Sequence, residues 1–157
     1  MVRLQPPGKS HESSLMKTIE EVIETTISTE ANPNGAKKAL ICAQAALDKK
    51  AENLKILNLS EISGFTDYFV VCSGLSDRQV QAMAEAISTA MDVNDYEMLS
   101  CEGIQEGRWV LLDFGDVIVH IFLEALRDYY DIENLWKDAP RIKVPSEFYG
   151  TGASRLN

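Results

Sequence analysis

Two histidines and three cysteines are all that this 157-residue chain offers a soft metal ion. There is no Cys-x-x-Cys pair, and Cys42, Cys72 and Cys101 lie far apart among apolar neighbours. A zinc site needs about four such ligands at short spacings, so none is expected, and the thiols read as buried and reduced. Long apolar runs are missing too. Nothing approaches the roughly 18 to 20 residues that span a bilayer. The opening "MVRLQPPGKSHESSLMK" also lacks the apolar segment of a secretory signal. A cytoplasmic protein with no membrane partner is the expectation. Positive charge is scarce, with 15 Lys and Arg against 24 Asp and Glu and a net charge of −9. Such a surface repels phosphate backbones, which argues against direct DNA binding, and it would be drawn to a basic partner. Solubility alone accounts for the charge about as well.

What the chain does have is a 45% hydrophobic fraction, enough for one core. Residues 1–13 are rich in Pro, Gly, Ser and Lys and read as a flexible tail. A threonine-rich helix follows, with Leu15, Ile19, Val22, Ile23 and Ile27 on one stripe. The cluster Pro33-Asn34-Gly35 then marks a boundary. Residues 1–35 are therefore expected to be an appendage dispensable for folding, 36–140 the globular unit, and 141–157 an extended tail.

The unit opens with a helix carrying Leu40, Ala43, Leu47 and Ala51 on one face. "NLKILNL" alternates as a strand, and "TDYFVVCSG" holds a continuous apolar run of the kind covered on both faces. "SDRQVQAMAEAISTAMD" is the clearest helix, with Ser76 and Gln79 spaced as a capping box and Val80, Met83, Ala84, Ile87 and Met91 at helical spacing. "YEMLSCEG", "RWVLLDF" and "VIVHIFL" read as three strands, the last two joined by a tight Gly115-Asp116 turn. "EALRDYYDIENLW" returns to helix. The fold class is α/β, a mixed sheet of about five strands with helices packed on it.

The stretches "TDYFVVCSGLSDRQVQAMAE", "EG…RWVLLDFGDVIVHIF" and "YY…ENLW" resemble the ribosomal silencing factor family, also called RsfS, YbeB or Iojap. Three motifs in the right order at matching spacing carry the resemblance, from about Ala36 to Pro140. It implies a protein that binds the large ribosomal subunit through the fourteenth large-subunit ribosomal protein and blocks joining of the small subunit. Translation would be damped when nutrients are scarce, with a further part in large-subunit biogenesis. It also implies a homodimer, a nucleotidyltransferase-like topology, no cofactor and no catalysis.

The related enzymes supply the alternative, a nucleotidyltransferase using Asp113 and Asp116 as metal ligands. Those enzymes carry paired carboxylates at i and i+2 on one strand, so that both project from one face. Asp113 and Asp116 are three apart across a turn. "SGLSD" has neither the lysine nor the glycines of a phosphate loop. His120, alone in an apolar strand, reads as a hydrogen-bonded core residue, and Trp136 as packing for the last helical turn.

For partner binding, the candidates are Trp109, Asp113, Phe114, Asp116, Arg127 and Tyr130. Trp109 matches the tryptophan of the family's W-V-x-x-D-x-G-D pattern, and Asp113 and Asp116 match its two acids. The competing readings are a core tryptophan closing the sheet edge and, for Asp116, a turn residue bonding local amides. Phe114, at the hairpin tip, is either an anchor or core. Arg127 and Tyr130 match an arginine and a tyrosine just after the family's last strand, and their i, i+3 spacing puts them on one helical face.

Overall fold

Residues 18–150 are described by a computed structural model. Leu15, the expected N-terminal tail and the last seven residues lie outside them. The elements run α1 (Ile19–Ile27), α2 (Pro33–Asp48), β1 (Glu52–Asn58), β2 (Tyr68–Gly74), α3 (Asp77–Val93), β3 (Ser100–Glu102), β4 (Trp109–Asp113), β5 (Val117–Leu123), α4 (Glu124–Tyr130), α5 (Ile132–Leu135), β6 (Arg141–Ile142) and a 3-10 turn at Ser146–Tyr149.

One sheet has the order β3-β4-β5-β2-β1-β6. Within it β2 and β5 pair in parallel, and the remaining pairs are antiparallel. The mixed α/β architecture agrees with the sequence pattern, with six strands rather than about five. The added strand pairs Ile142 with Ile56 and Arg141 with Leu57, within the stretch read as an extended tail. A two-residue strand has no alternation to read.

Pairing fixes which residues share a face. Val110, Leu112, Val119, Ile121, Val70 and Cys72 point to the side covered by α2 and α3, with α1 packed on α2, where most of the core lies. The other face carries Leu57, Phe69, Val71, Ile118 and Phe122, packed against Ala139, Ile132 and Trp136. That second cover is small. It protects β2 and β5, whose side chains are almost all buried, but stops short of β4 and β3. The central runs are thus sealed on both sides, and among the described residues one half of the second face stays open.

The expected boundary at Gly35 falls inside a helix. Asn32 caps α2, its Oδ1 accepting the Gly35 N–H at 3.0 Å, and Pro33 occupies the first turn, where a missing N–H costs nothing. A Cβ on Gly35 would come within 2.6 Å of the Asn32 side chain and 3.0 Å of Asp116, so a larger residue there would have to displace the cap and its neighbour. Upstream, α1 opens on a capping box between Thr18 and Glu21 and buries Val22, Ile23 and Ile27 in the main core. Glu30 accepts the Tyr68 hydroxyl at 2.8 Å and the Asn58 amide at 3.0 Å. Residues 18–35 are therefore built into the body. Pro-Asn-Gly is a turn signal and a helix-start signal alike, and the cap at Asn32 decides between them.

Two smaller readings also change. Ser76 Oγ accepts the Gln79 N–H as a cap should, but Gln79 reaches back to the Leu75 N–H and also bonds the carbonyls of Lys49 and Lys50. Cys42 and Cys72 are buried, whereas Cys101 is exposed, because β3 is an edge strand with no cover. Burial raises the pKa of both core thiols, that of Cys72 to about 12, so they stay protonated and inert.

Candidate partner-binding face

The site grows from the β4–β5 hairpin. Gly115, at φ +93°, takes the first central position of a two-residue turn, and the Phe114 N–H bonds the Val117 carbonyl at 2.9 Å. The turn sends its two aspartates apart. Asp113 ends β4 and accepts the Gly115 N–H at 2.8 Å. Asp116 turns toward α2, where Lys38 Nζ meets it at 2.9 Å and Asn32 Nδ2 approaches at 3.5 Å. Its backbone carbonyl accepts the N–H groups of Asp67 and Tyr68. The two carboxylates belong to different neighbourhoods. Among the described residues, no group of three or more His, Cys, Asp or Glu could hold a metal ion.

Along β4, alternation puts Trp109, Leu111 and Asp113 on the half-open face, opposite Phe122, His120 and Ile118 of β5. On the outer side, Glu102 stands across from Leu111 and Ser100 across from Asp113. Trp109 stacks on Phe122 at 5.0 Å and 26° and meets Tyr130 of α4 at 4.7 Å. Phe122 and Tyr130 are 6.2 Å apart, so the three rings form a compact triangle. Trp109 is half-buried, Tyr130 is 45% exposed, and Tyr129 extends the patch at 5.1 Å from Tyr130. The indole N–H donates to His120 Nδ1 at 3.1 Å. His120 is buried, and this desolvation lowers its pKa to about 4, keeping it neutral near pH 7.

Three of the expected contact residues have internal work. Phe114 is 4% exposed and packs in the main core, so it is the core residue of the two readings. Asp116 ties the hairpin to α2. Arg127 is 6% exposed, with Nε and Nη2 on Glu133 at 2.8 and 3.2 Å and Nη1 on Ser73 Oγ at 2.9 Å. That pairing with Arg127, helped by Lys55 at 2.9 Å, holds Glu133 down to a pKa of about 2. Arg127 is buried and Tyr130 exposed, so the shared helical face inferred from their spacing and their match to the family does not give them a shared exposure. Leu111 and Tyr129 join the open face without having been singled out, although the alternation of "WVLLD" carries the signal for Leu111.

The model of the family described as "Ribosomal silencing factor during starvation" matches residues 30–155. The chain belongs to this ribosomal silencing factor family. A ribosomal silencing factor RsfS of Bacillus subtilis is 48% identical over 100 residues, covering 64% of this chain and 85% of the relative. The mouse protein named "Mitochondrial assembly of ribosomal large subunit protein 1" is 30% identical over 96 residues, covering 56% of this chain and 40% of its own length. A crystal structure of a Chromobacterium violaceum protein superposes with a TM-score of 0.63 at 34% identity, covering 75% of this chain and 93% of that one. The silencing-factor match takes in the whole hairpin, the ring triangle and the cap at Asn32, and leaves α1 outside it.

Proposed function

We propose that this silencing factor docks the open half of its sheet, with Trp109 at the centre, on the large ribosomal subunit and so bars the small subunit from joining. The observation that carries this is the gap in the second cover. It leaves the half-buried Trp109 of β4 packed against the exposed Tyr130 of α4, on a face that also carries Asp113 at the far end of β4, which has no ion-pair partner among the described residues. Aromatic anchors of this kind dominate protein interfaces. We assign the contact to the fourteenth large-subunit ribosomal protein, the partner that the resemblance implies. Asp113 and the exposed Glu102 beside it would meet lysine or arginine there, and the net charge of −9 would speed the encounter. Action by occupying a surface asks for no nucleophile and no cofactor. The name of the mouse relative supports a part in large-subunit assembly as well.

The experiment is co-sedimentation of the purified chain with isolated subunits. Binding to the large subunit alone, weakening as salt rises, supports the reading. Binding to neither subunit removes it. Magnesium-dependent nucleotide turnover, lost in Asp113→Ala, would install the enzyme reading in its place.

A further inference from the structure

The sequence leaves His120 as a core residue, and its position asks for more. A phenylalanine would fill a slot between Phe69 at 4.5 Å and Phe122 at 6.3 Å without any polar cost. The imidazole instead brings two nitrogens into a site only 5% exposed. Nδ1 accepts the Trp109 indole N–H at 3.1 Å, which puts the imidazole hydrogen on Nε2. Among the described residues, Nε2 has no hydrogen-bond partner. Burying an unpaired donor opposes folding, so the useful work of the ring is done by Nδ1.

Trp109 lies across the diagonal of the ladder from His120, since Leu111 is the residue directly opposite. At that offset the indole N–H meets the imidazole in the side-chain orientation observed, at 3.1 Å. Stacking on Phe122 and Tyr130 restrains the plane of the indole, but a half-turn about Cβ–Cγ keeps that plane while carrying Nε1 to the opposite edge. The hydrogen bond to His120 selects the orientation that holds Nε1 toward the imidazole.

We propose that His120 is a positioning residue for the docking face, holding the Trp109 indole in one orientation before a partner arrives and engaging its N–H so that the partner meets ring carbon. The low pKa set by burial keeps Nδ1 available as an acceptor throughout the neutral range. The inference rests on the docking face proposed above. If the competent orientation of Trp109 fell to a tenth of its present population, affinity for the large subunit would fall about tenfold, mostly through slower association.

The test pairs His120→Phe, which fills the slot without an acceptor, with His120→Gln, whose amide oxygen can accept. Two readouts are taken on the full chain: hydrogen exchange of the Trp109 indole N–H by nuclear magnetic resonance, and affinity for isolated large subunits. Trp136→Phe identifies the Trp109 signal, since these are the two tryptophans of the chain. The expected result is faster indole exchange and about tenfold weaker binding in His120→Phe, with both largely restored in His120→Gln. Unchanged exchange in His120→Phe overturns the hydrogen bond. Faster exchange with wild-type affinity overturns the positioning role, provided Trp109→Ala binds weakly. Weak binding by His120→Gln despite restored indole protection assigns the effect to packing and also overturns it. Wild-type binding by Trp109→Ala and His120→Phe together overturns the docking face itself.

Discussion

Trp109 touches three aromatic neighbours and still reaches solvent, and substitutions at it and around it separate its roles. Trp109→Ala is expected to weaken large-subunit binding by about 2 to 4 kcal/mol, roughly 30- to 900-fold. Because this change also removes packing on Phe122, Tyr130→Ala is the cleaner variant. That side chain is 45% exposed, and its loss should cost binding with little change in melting temperature. Asp113→Asn should cost less and should flatten the salt dependence measured between low and physiological ionic strength. Arg127→Ala is expected to act on stability, by roughly 2 to 4 kcal/mol in denaturant titration, since it strips a buried guanidinium from Glu133 and Ser73. His120 adds a pH dependence whose sign follows from its burial as a neutral base. Its folded pKa of about 4 lies below the ordinary 6.5, so the unfolded chain takes up the proton first. Stability is therefore full above pH 6.5 and is lost as pH falls toward 4, by about 2 kcal/mol between pH 7 and 5. His120→Phe should remove that component from melting curves taken across this range.

At the scale of elements, the order of helices and strands could be read from apolar periodicity and turn chemistry, and the hairpin from Gly-Asp between two strand runs. Trp109 stands out in the sequence as a large aromatic beside a polar turn, and Tyr130 through the resemblance; the structure puts the two rings 4.7 Å apart. The side on which Phe114 and Arg127 fall was not legible, because it is set by residues distant in sequence. Phe114 is held in a core to which Met98 and Tyr96 contribute, and Arg127 by Ser73 and Glu133. The same holds for the Gly35 boundary. Asn32-Pro33 fits a helix start as well as a turn, and nothing local reveals that the Asn32 amide donates to Asp67 at 2.7 Å. A chain beginning at Gly35 would lose that cap, the Glu30 bonds to Tyr68 and Asn58, and the cover supplied by Val22, Ile23 and Ile27. It is expected to unfold at lower temperature than the full chain, by ten degrees or more on the order-of-magnitude scale of about 2 kcal/mol per large buried side chain. An unchanged melting curve would restore residues 1–35 as an appendage.

The molecule as a whole combines an acidic surface with a sheet closed on one side and half-closed on the other. No helix among the described residues is long and apolar enough to cross a membrane. Self-association as a two-fold dimer, which the resemblance implies, is part of the proposal, and light scattering at tens of micromolar should give twice the chain mass. The central claim is that the open half of the sheet keeps the subunits apart. Its most direct measurement is subunit joining in purified large and small subunits, followed by gradient sedimentation, with wild-type chain, Tyr130→Ala and Trp109→Ala added at equal concentration. The account predicts that the wild type holds the subunits apart, and that both variants, folded by their melting curves, let joined ribosomes form. Joining blocked equally by all three chains would contradict it and place the contact on another surface.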